Sequence, residues 1–296
     1  MRQVHLPKDI DELWQVLSED PKAVPWAGGT DLLARMRNRL VDPPALVCLE
    51  RVEELKGVED HGDKVLIRAC TTHTQLLRDP LIQKQCPLLH KALKVLGSPL
   101  IRNMGTIGGN IVTASPAGDT LPPLYVSDAE LELWSRNGSR LVPISDFIKG
   151  PGQTALRPRE ILAGIWVRRD RGVNLHHYEK VGQRKALAIS IVSLAASLHI
   201  TETGIIERVR LAWGSVGPRV IMSEEVERAL TGRPLTRETL AKAVPFAHKA
   251  VRPIDDIRAS AQYRRIVAGN LLFRLLGHSE QSIPSAIEGL SSGARQ

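Results

Sequence analysis

Two glycine-rich loops carry the clearest chemistry in this sequence. The first loop, residues 27–31, reads Ala-Gly-Gly-Thr-Asp, and the second loop, residues 106–110, reads Thr-Ile-Gly-Gly-Asn, with Ser115 and Asp119 downstream. Glycine lets backbone N–H groups approach a phosphate closely, because no Cβ stands in the way. Two such loops suit a ligand with a diphosphate and two ends to hold, such as a dinucleotide.

Neither loop is a common phosphate-binding motif. No Gly-Lys-Ser/Thr follows the first loop, so no lysine is placed for a γ-phosphate. Neither loop reads Gly-x-Gly-x-x-Gly, so a doubly wound dinucleotide site is not supported. The remaining prediction is phosphate contact through backbone amides and the hydroxyls of Thr30 and Thr106, with Asn110 adding its amide group.

Two acidic residues of these segments each have two interpretations. Asp31 is either the N-cap of a following helix or a direct ligand contact. Asp119 either accepts hydrogen bonds from a ribitol or ribose hydroxyl, or caps backbone N–H groups of its own loop. The sequence leaves both choices open.

Composition narrows the class of ligand and the compartment. The 296 residues carry a net charge of +8, which favours an anionic ligand or an acidic partner, while an aromatic fraction of 4% gives little surface for base stacking. We therefore expect no nucleic-acid partner.

The three cysteines are far apart and form no Cys-x-x-Cys, which predicts buried thiols, no metal site and a cytoplasmic protein. No signal peptide or transmembrane segment is expected.

Periodicity predicts an α+β protein without regular strand–helix alternation. A helix is expected over 9–19, followed by a short strand over 23–27 that enters the first loop. The stretch 98–123 is rich in Gly, Ser, Pro, Asn and Thr and is expected to be one long ordered loop. A last helix is expected from Asp255 to about Leu276, with Ile257 facing inward.

The sequence resembles the FAD-binding subunit of the molybdenum hydroxylases, the family of xanthine dehydrogenase and carbon monoxide dehydrogenase. The resemblance rests on the first loop, on the extended second loop that runs to Asp119, on Tyr178-Glu179-Lys180, and on residues 256–264. It covers nearly the whole chain. It implies a two-part FAD-binding domain of the vanillyl-alcohol-oxidase type over 1–172, with parts 1–56 and 57–172. A smaller α+β domain is implied over 173–296.

The resemblance also implies which residues contact the cofactor. One segment would hold the diphosphate: Pro25, Trp26, Ala27, Gly28, Gly29, Thr30, Asp31 and Leu32. Thr106, Gly109, Asn110 and Ser115 would continue that site, and Asp119 would bind the ribitol side. Leu162 and Lys180 would lie near the flavin ring, although Lys180 has an alternative interpretation as a surface charge. Some relatives have an aromatic residue where this chain has Leu96, which changes the packing expected at that point.

The function implied by the resemblance is electron transfer. The chain would hold noncovalent FAD, take electrons from a small iron–sulfur subunit, and pass them to an external acceptor such as NAD or a quinone. A large subunit with the molybdenum cofactor would hydroxylate the substrate, so no catalytic side chain is expected here. The alternatives are a stand-alone FAD enzyme of the UDP-sugar reductase type and a flavin-free scaffold subunit.

Overall fold

The fold begins with a small parallel sheet that leads directly into the first loop. The computed structural model describes residues 2–169, 172–184 and 187–278. The parallel strands are β1 (Gln3–His5), β2 (Ala23–Trp26) and β3 (Ala45–Cys48), in the order β1-β3-β2. Helix α1 (Ile10–Glu19) joins β1 to β2, and α2 (Leu32–Arg37) lies between β2 and β3. The first loop therefore follows the carboxyl end of β2, where ligands of parallel sheets bind.

A five-stranded antiparallel sheet forms the centre of the molecule. Its order is β4-β5-β10-β6-β7. The bounds are β4 (Val58–His61), β5 (Lys64–Arg68), β6 (Glu130–Ser135), β7 (Gly138–Pro143) and β10 (Ile161–Arg168). A 3-10 turn (Glu53–Leu55) precedes it, and α9 (Ile144–Phe147), β8 (Ile148–Gly150) and β9 (Gln153–Thr154) separate β7 from β10. Six short helices connect β5 to β6: α3 (His73–Arg78), α4 (Pro80–Gln85), α5 (Pro87–Val95), α6 (Pro99–Met104), α7 (Ile107–Thr113) and α8 (Leu121–Val126).

A third sheet with its own helices follows. It is antiparallel, in the order β11-β12-β13. The bounds are β11 (Leu175–Val181), β12 (Val192–Ile200), β13 (Ile206–Gly214), α10 (Glu224–Leu230), α11 (Arg237–Ala250), α12 (Ala261–Asn270) and a 3-10 segment (Leu271–His278). None of the helices among residues 2–169, 172–184 and 187–278 is long and apolar enough to span a membrane.

The two faces of the third sheet serve two different cores. Leu194 and Trp213 pack with the helices that follow β13. Ala195 and Ala212, on the opposite face, belong to the main core, which we define as the largest buried apolar cluster, between the central sheet and α3–α8. The third sheet therefore covers the helices that precede β6, because small side chains on this face let them approach.

Several predicted elements are confirmed. Helix α1 begins after Asp9, whose side chain accepts a hydrogen bond from the Glu12 amide. All three cysteine side chains are buried, as expected. The predicted domain division at 172 follows residues 170–171, which lie outside the described residues, as does 279–296. That division stays a prediction.

Two predictions about secondary structure are wrong. The stretch 98–123 is not one loop, because it contains α6, α7 and the start of α8, with Ser98 and Thr106 as N-caps. The last helix begins at Ala261, not at Asp255, because Ser260 caps it. Ile257 lies before this helix and is fully exposed, so its inward assignment is also wrong.

Candidate functional site

The first loop touches the backbone that precedes the second loop. A Cβ on Gly28 would lie 1.6 Å from the carbonyl oxygen of Met104. Gly29 has φ of +66°, in the left-handed region that favours glycine. Both glycines of the first loop are therefore required by this geometry, one for close approach and the other for its backbone conformation.

The first loop presents free backbone donors. Across the described residues, the N–H groups of residues 28–31 donate no hydrogen bond to another protein group. The indole Nε1 of Trp26 is buried and also has no partner among these residues. Backbone N–H groups in folded proteins normally have a hydrogen-bond partner. Several consecutive N–H groups without one can together bind an anion. The first loop therefore fits a bound diphosphate.

The second loop uses its backbone donors differently. The N–H groups of Ile107 and Gly108 donate to the carbonyl oxygens of Thr71 and Ala69, at 3.1 and 2.8 Å. The Gly109 N–H donates to the hydroxyl oxygen of Thr106, which is the N-cap of α7. The Asn110 N–H is bonded within the helix. The predicted phosphate contacts of Thr106, Gly109 and Asn110 stay a prediction, and here these residues fix α7 beside the first loop.

Asp31 does not cap α2. Its backbone is right-handed helical, and its side chain accepts no capping hydrogen bond. The carboxylate lies 3.8 Å from the guanidinium of Arg35 instead. Asp31 therefore stands at the N-cap position of α2 but does not cap the helix through its side chain, and a direct ligand contact stays a prediction.

Asp119 and Lys180 form a buried ion pair between the central and third sheets. The Lys180 Nζ lies 2.6 Å from the Asp119 Oδ2, and the two side chains are 7% and 9% exposed. The same ammonium donates to the carbonyl oxygen of Val95 at 3.2 Å. The surface-charge interpretation of Lys180 and the loop-cap interpretation of Asp119 are both wrong, because each group has the other as its partner. The ribitol contact of Asp119 stays a prediction.

Burial dominates the electrostatics of this pair. It raises the pKa of the Asp119 carboxyl, and the nearby Lys180 ammonium and Tyr178 hydroxyl offset only part of the rise. Burial also raises the pKa of Tyr178 well above its ordinary value, and the Asp119 charge raises it further. Tyr178 is therefore a neutral phenol that donates to a carboxylate.

The remaining predicted residues lie beside the first loop, on or after α7, or in the main core. Asn110 accepts a hydrogen bond from the Thr120 hydroxyl at 2.6 Å, which ties α7 to the segment of Asp119. Ser115 accepts one from the Ala117 amide. Leu162 and Leu96 are buried in the main core. Pro25 and Leu32, at the two ends of the first loop, are not buried. Their contacts with a cofactor stay predictions.

His73 is a buried residue of this region that the sequence analysis did not single out. Its N–H donates to the carbonyl oxygen of Gly105, and its Cδ2 lies 3.3 Å from the point where a Cβ on Gly105 would be. Burial and the nearby Arg102 charge lower its pKa to about 4, so the imidazole is neutral. The sequence feature that could have located His73 is the capping box of Thr72 and Gln75, which makes His73 the first residue of α3.

The comparisons with known proteins identify the family. Residues 1–167 match the family described as the FAD binding domain in molybdopterin dehydrogenase, and residues 177–279 match the CO dehydrogenase flavoprotein C-terminal domain. The chain belongs to the family of FAD-binding subunits of molybdenum hydroxylases. The predicted family, the FAD cofactor and the oxidoreductase class are thereby confirmed.

Relatives cover nearly the full length of this FAD-binding subunit. The nicotinate dehydrogenase FAD-subunit of Eubacterium barkeri is 31% identical over 88% of this chain and 89% of the relative. The carbon monoxide dehydrogenase medium chain of Hydrogenophaga pseudoflava is 30% identical over 93% and 95%.

Solved structures agree with the fold. A structure of carbon monoxide dehydrogenase from Hydrogenophaga pseudoflava matches with a TM-score of 0.88 at 30% identity, covering 96% of this chain and 98% of that one. Quinoline 2-oxidoreductase from Pseudomonas putida 86 matches with a TM-score of 0.89 at 28% identity, covering 95% and 97%. The predicted fold, an FAD-binding domain followed by a smaller α+β domain, is confirmed.

Proposed function

We propose that this chain is the electron-transfer subunit of a multi-subunit molybdenum hydroxylase. It takes electrons from the iron–sulfur clusters of a small partner subunit and passes them to an external acceptor, NAD or a quinone. The observation that carries the proposal is the row of unpaired N–H groups at residues 28–31, because it is a prepared anion site in an FAD-binding family.

The residues of this chain bind and orient the cofactor. The N–H groups of the first loop hold the diphosphate, with Thr106, Asn110 and Ser115 completing that side. Asp119 would bind the ribitol, and Lys180 and Leu162 would lie near the flavin ring. When bound, FAD would supply the change from one-electron transfer at the iron–sulfur clusters to two-electron transfer at the external acceptor. The protein contributes binding, water exclusion and the charge of the Asp119–Lys180 pair.

The partner subunits supply the chemistry that this chain lacks. Its relatives include a carbon monoxide dehydrogenase medium chain and a nicotine 6-hydroxylase medium subunit, names that belong to multi-chain enzymes. By analogy, a large subunit holds the molybdenum cofactor and hydroxylates the substrate. We also propose a cytoplasmic location, where NAD is available.

The test begins with the purified chain. We expect flavin absorbance, release of FAD on heating, and a photoreduced flavin that is reoxidised by NAD or by a soluble quinone in stopped-flow mixing. The same reaction with the first-loop variant Gly28→Ala is the control. Because that variant is expected to release FAD, it shows how fast free flavin reacts with the acceptor.

Three results would contradict this proposal in different ways. A colourless chain that takes up no added FAD points to the scaffold alternative. A flavoprotein that turns over a UDP-sugar with NADPH and no partner points to the stand-alone reductase. A reduced flavin that reacts with neither NAD nor quinone removes the acceptor half of the proposal.

A further inference from the structure

Tyr178 is hydrogen-bonded to the buried Asp119–Lys180 pair. Tyr178 and Lys180 alternate along β11 and therefore share one face of the third sheet. Ser193 lies directly opposite Lys180 on the neighbouring strand β12. This face packs against α5 and α8. The strand alternation thus brings a phenol, an ammonium and a hydroxyl together against the segment that holds Asp119.

The two oxygens of Asp119 have different donors. The Tyr178 hydroxyl donates to Oδ1 at 3.2 Å, and the Lys180 ammonium donates to Oδ2 at 2.6 Å. The Ser193 hydroxyl lies near the Tyr178 phenol and is itself buried. With both oxygens held, the carboxylate is fixed in one orientation, in which its negative charge lies next to the Lys180 ammonium.

The surrounding backbone leaves space for this chain of groups. Gly214 lies opposite Ser193 on β13, and a Cβ there would lie 2.5 Å from the Ser193 Oγ and 2.9 Å from the Pro122 Cγ. Because contacts below 3.0 Å require a shift of neighbouring atoms, a larger residue would displace either the hydroxyl or α8. Gly214 therefore preserves both the close approach of α8 and the position of the Ser193 hydroxyl.

We propose that Tyr178 is a positioning residue for the flavin: by holding one oxygen of Asp119, it sets how much of the Lys180 charge reaches the flavin ring. This inference rests on the proposed function, which puts the ring beside Lys180. A hydrogen bond to a carboxylate favours its charged form. Without the phenol hydroxyl, Asp119 offsets less of the ammonium charge, and a positive charge favours reduced over oxidised flavin.

The test compares Tyr178→Phe with Tyr125→Phe in the full chain. Tyr125 is a matched control, because its buried hydroxyl has no hydrogen-bond partner among the described residues. Dissociation constants for oxidised and photoreduced FAD give the ratio of the two affinities. We expect Tyr178→Phe to shift this ratio at least about threefold toward reduced FAD, whereas Tyr125→Phe leaves it unchanged.

A double-mutant cycle checks that the effect passes through Asp119. In an Asp119→Asn background, adding Tyr178→Phe is expected to change the affinity ratio no further, because the group that Tyr178 positions is already neutral. A further threefold change in that background overturns the proposal. So does an equal loss of affinity for both flavin states in the single variant, since that loss indicates only a structural role.

A second variant keeps the test valid if Tyr178→Phe does not fold. Ser193→Ala keeps the Tyr178 ring and removes a polar neighbour of its hydroxyl. We expect the ratio of affinities to shift in the same direction by a smaller factor, about twofold. An unchanged ratio in Ser193→Ala then overturns the proposal. Failure of the wild-type chain to bind FAD would instead contradict the proposed function, so the two failures are distinguishable.

Discussion

Gly28 shows how one missing side chain prepares the cofactor site. Its backbone lies against the carbonyl of Met104, where no Cβ fits. The close approach fixes the first loop in the conformation that leaves the N–H groups of residues 28–31 unpaired. A side chain at this position would move the loop by more than one ångström and scatter those donors.

We expect Gly28→Ala to weaken FAD binding at least about tenfold, because the displaced donors no longer converge. Fluorescence titration with oxidised FAD measures the change. Gly277→Ala is the matched control, since a Cβ at Gly277 would meet no atom of the described residues within 4 Å. Equal affinities for the two variants would contradict the role assigned to the first loop.

His73 makes the stability of the chain depend on pH. Its pKa is lowered from the ordinary 6.5 to about 4, so below pH 6.5 the unfolded chain takes up a proton that the folded chain does not. Stability therefore falls as the pH is lowered through this range, and the loss is complete near the folded pKa.

Between about pH 7.5 and about pH 5, we expect His73 to cost about 2 kcal/mol of unfolding free energy, an upper estimate from its shift. Urea unfolding at several pH values measures the slope. His73→Gln should remove that part of the slope, whereas His61→Gln, at a half-exposed imidazole, should keep it. An unchanged slope in His73→Gln would show that His73 protonates without unfolding.

At the residue scale the sequence located the glycine turn of the first loop, whose cofactor contacts stay a prediction, and did not reveal the ion pair. A glycine pair beside Thr30 and Asp31 is a local pattern with a local physical reason. Asp119 lies between α7 and α8, and its partner Lys180 lies far along the chain, on β11 of the third sheet. The spacing of residues along the chain contains no information about that pairing. Both sequence interpretations of Asp119 therefore omitted Lys180, its main contact.

Among the elements, α12 depends on one buried guanidinium. Arg264 is 2% exposed and donates to the carbonyl oxygens of Ile191 and Ser215, at 2.6 and 3.2 Å. It also donates to the Asp256 carboxylate at 2.7 Å, and neighbouring guanidinium groups lower the pKa of that carboxyl. One side chain thus joins α12 to the residue before β12, to the residue after β13 and to the segment that precedes the helix.

We expect Arg264→Ala to lower the unfolding free energy by about 3 kcal/mol, because it leaves buried carbonyl oxygens without their donor. Arg265→Ala is the control, as an exposed arginine next to it on the same helix, and should change stability by less than about 0.5 kcal/mol. Chemical denaturation of both variants is the measurement. Equal stabilities would mean that water replaces the guanidinium.

The predictability of the elements follows their length and caps. Helix α1 and α11 have ten and fourteen residues, clear N-caps and regular apolar spacing, so their positions follow from the sequence. Helices α6 and α7 have only six and seven residues and contain Pro or Gly. Such short helices form because packing holds them, and their composition matches that of a loop.

At the scale of the whole molecule, the third sheet supplies the outer wall of the main core. Ala195 and Ala212 are completely buried in that core although they follow the predicted boundary at 172. The pair Asp119–Lys180 joins the same surfaces. Isolated residues 1–172 would therefore expose α5 and α8 to water.

We expect a fragment of residues 1–172 to melt at least about 10 °C below the full chain and to bind a hydrophobic dye, because it lacks this cover. Thermal unfolding followed by circular dichroism measures the difference. The full chain with Lys180→Met and Asp119→Asn combined is the control, since it removes the ion pair but keeps the sheet. A fragment as stable as the full chain would contradict this dependence.

The position of β10 has a consequence for how the protein is synthesised. β10 lies between β5 and β6 in the central sheet, yet it follows β6 in the chain. When a ribosome has made the chain through β7, the hairpins β4–β5 and β6–β7 cannot yet join, and their inner edges remain unpaired. At about 5–20 residues per second, several seconds pass between the completion of β5 and the arrival of β10. During those seconds the exposed edges can pair with a neighbouring nascent chain, so the folded yield depends on the density of translating ribosomes as well as on the stability of the finished protein.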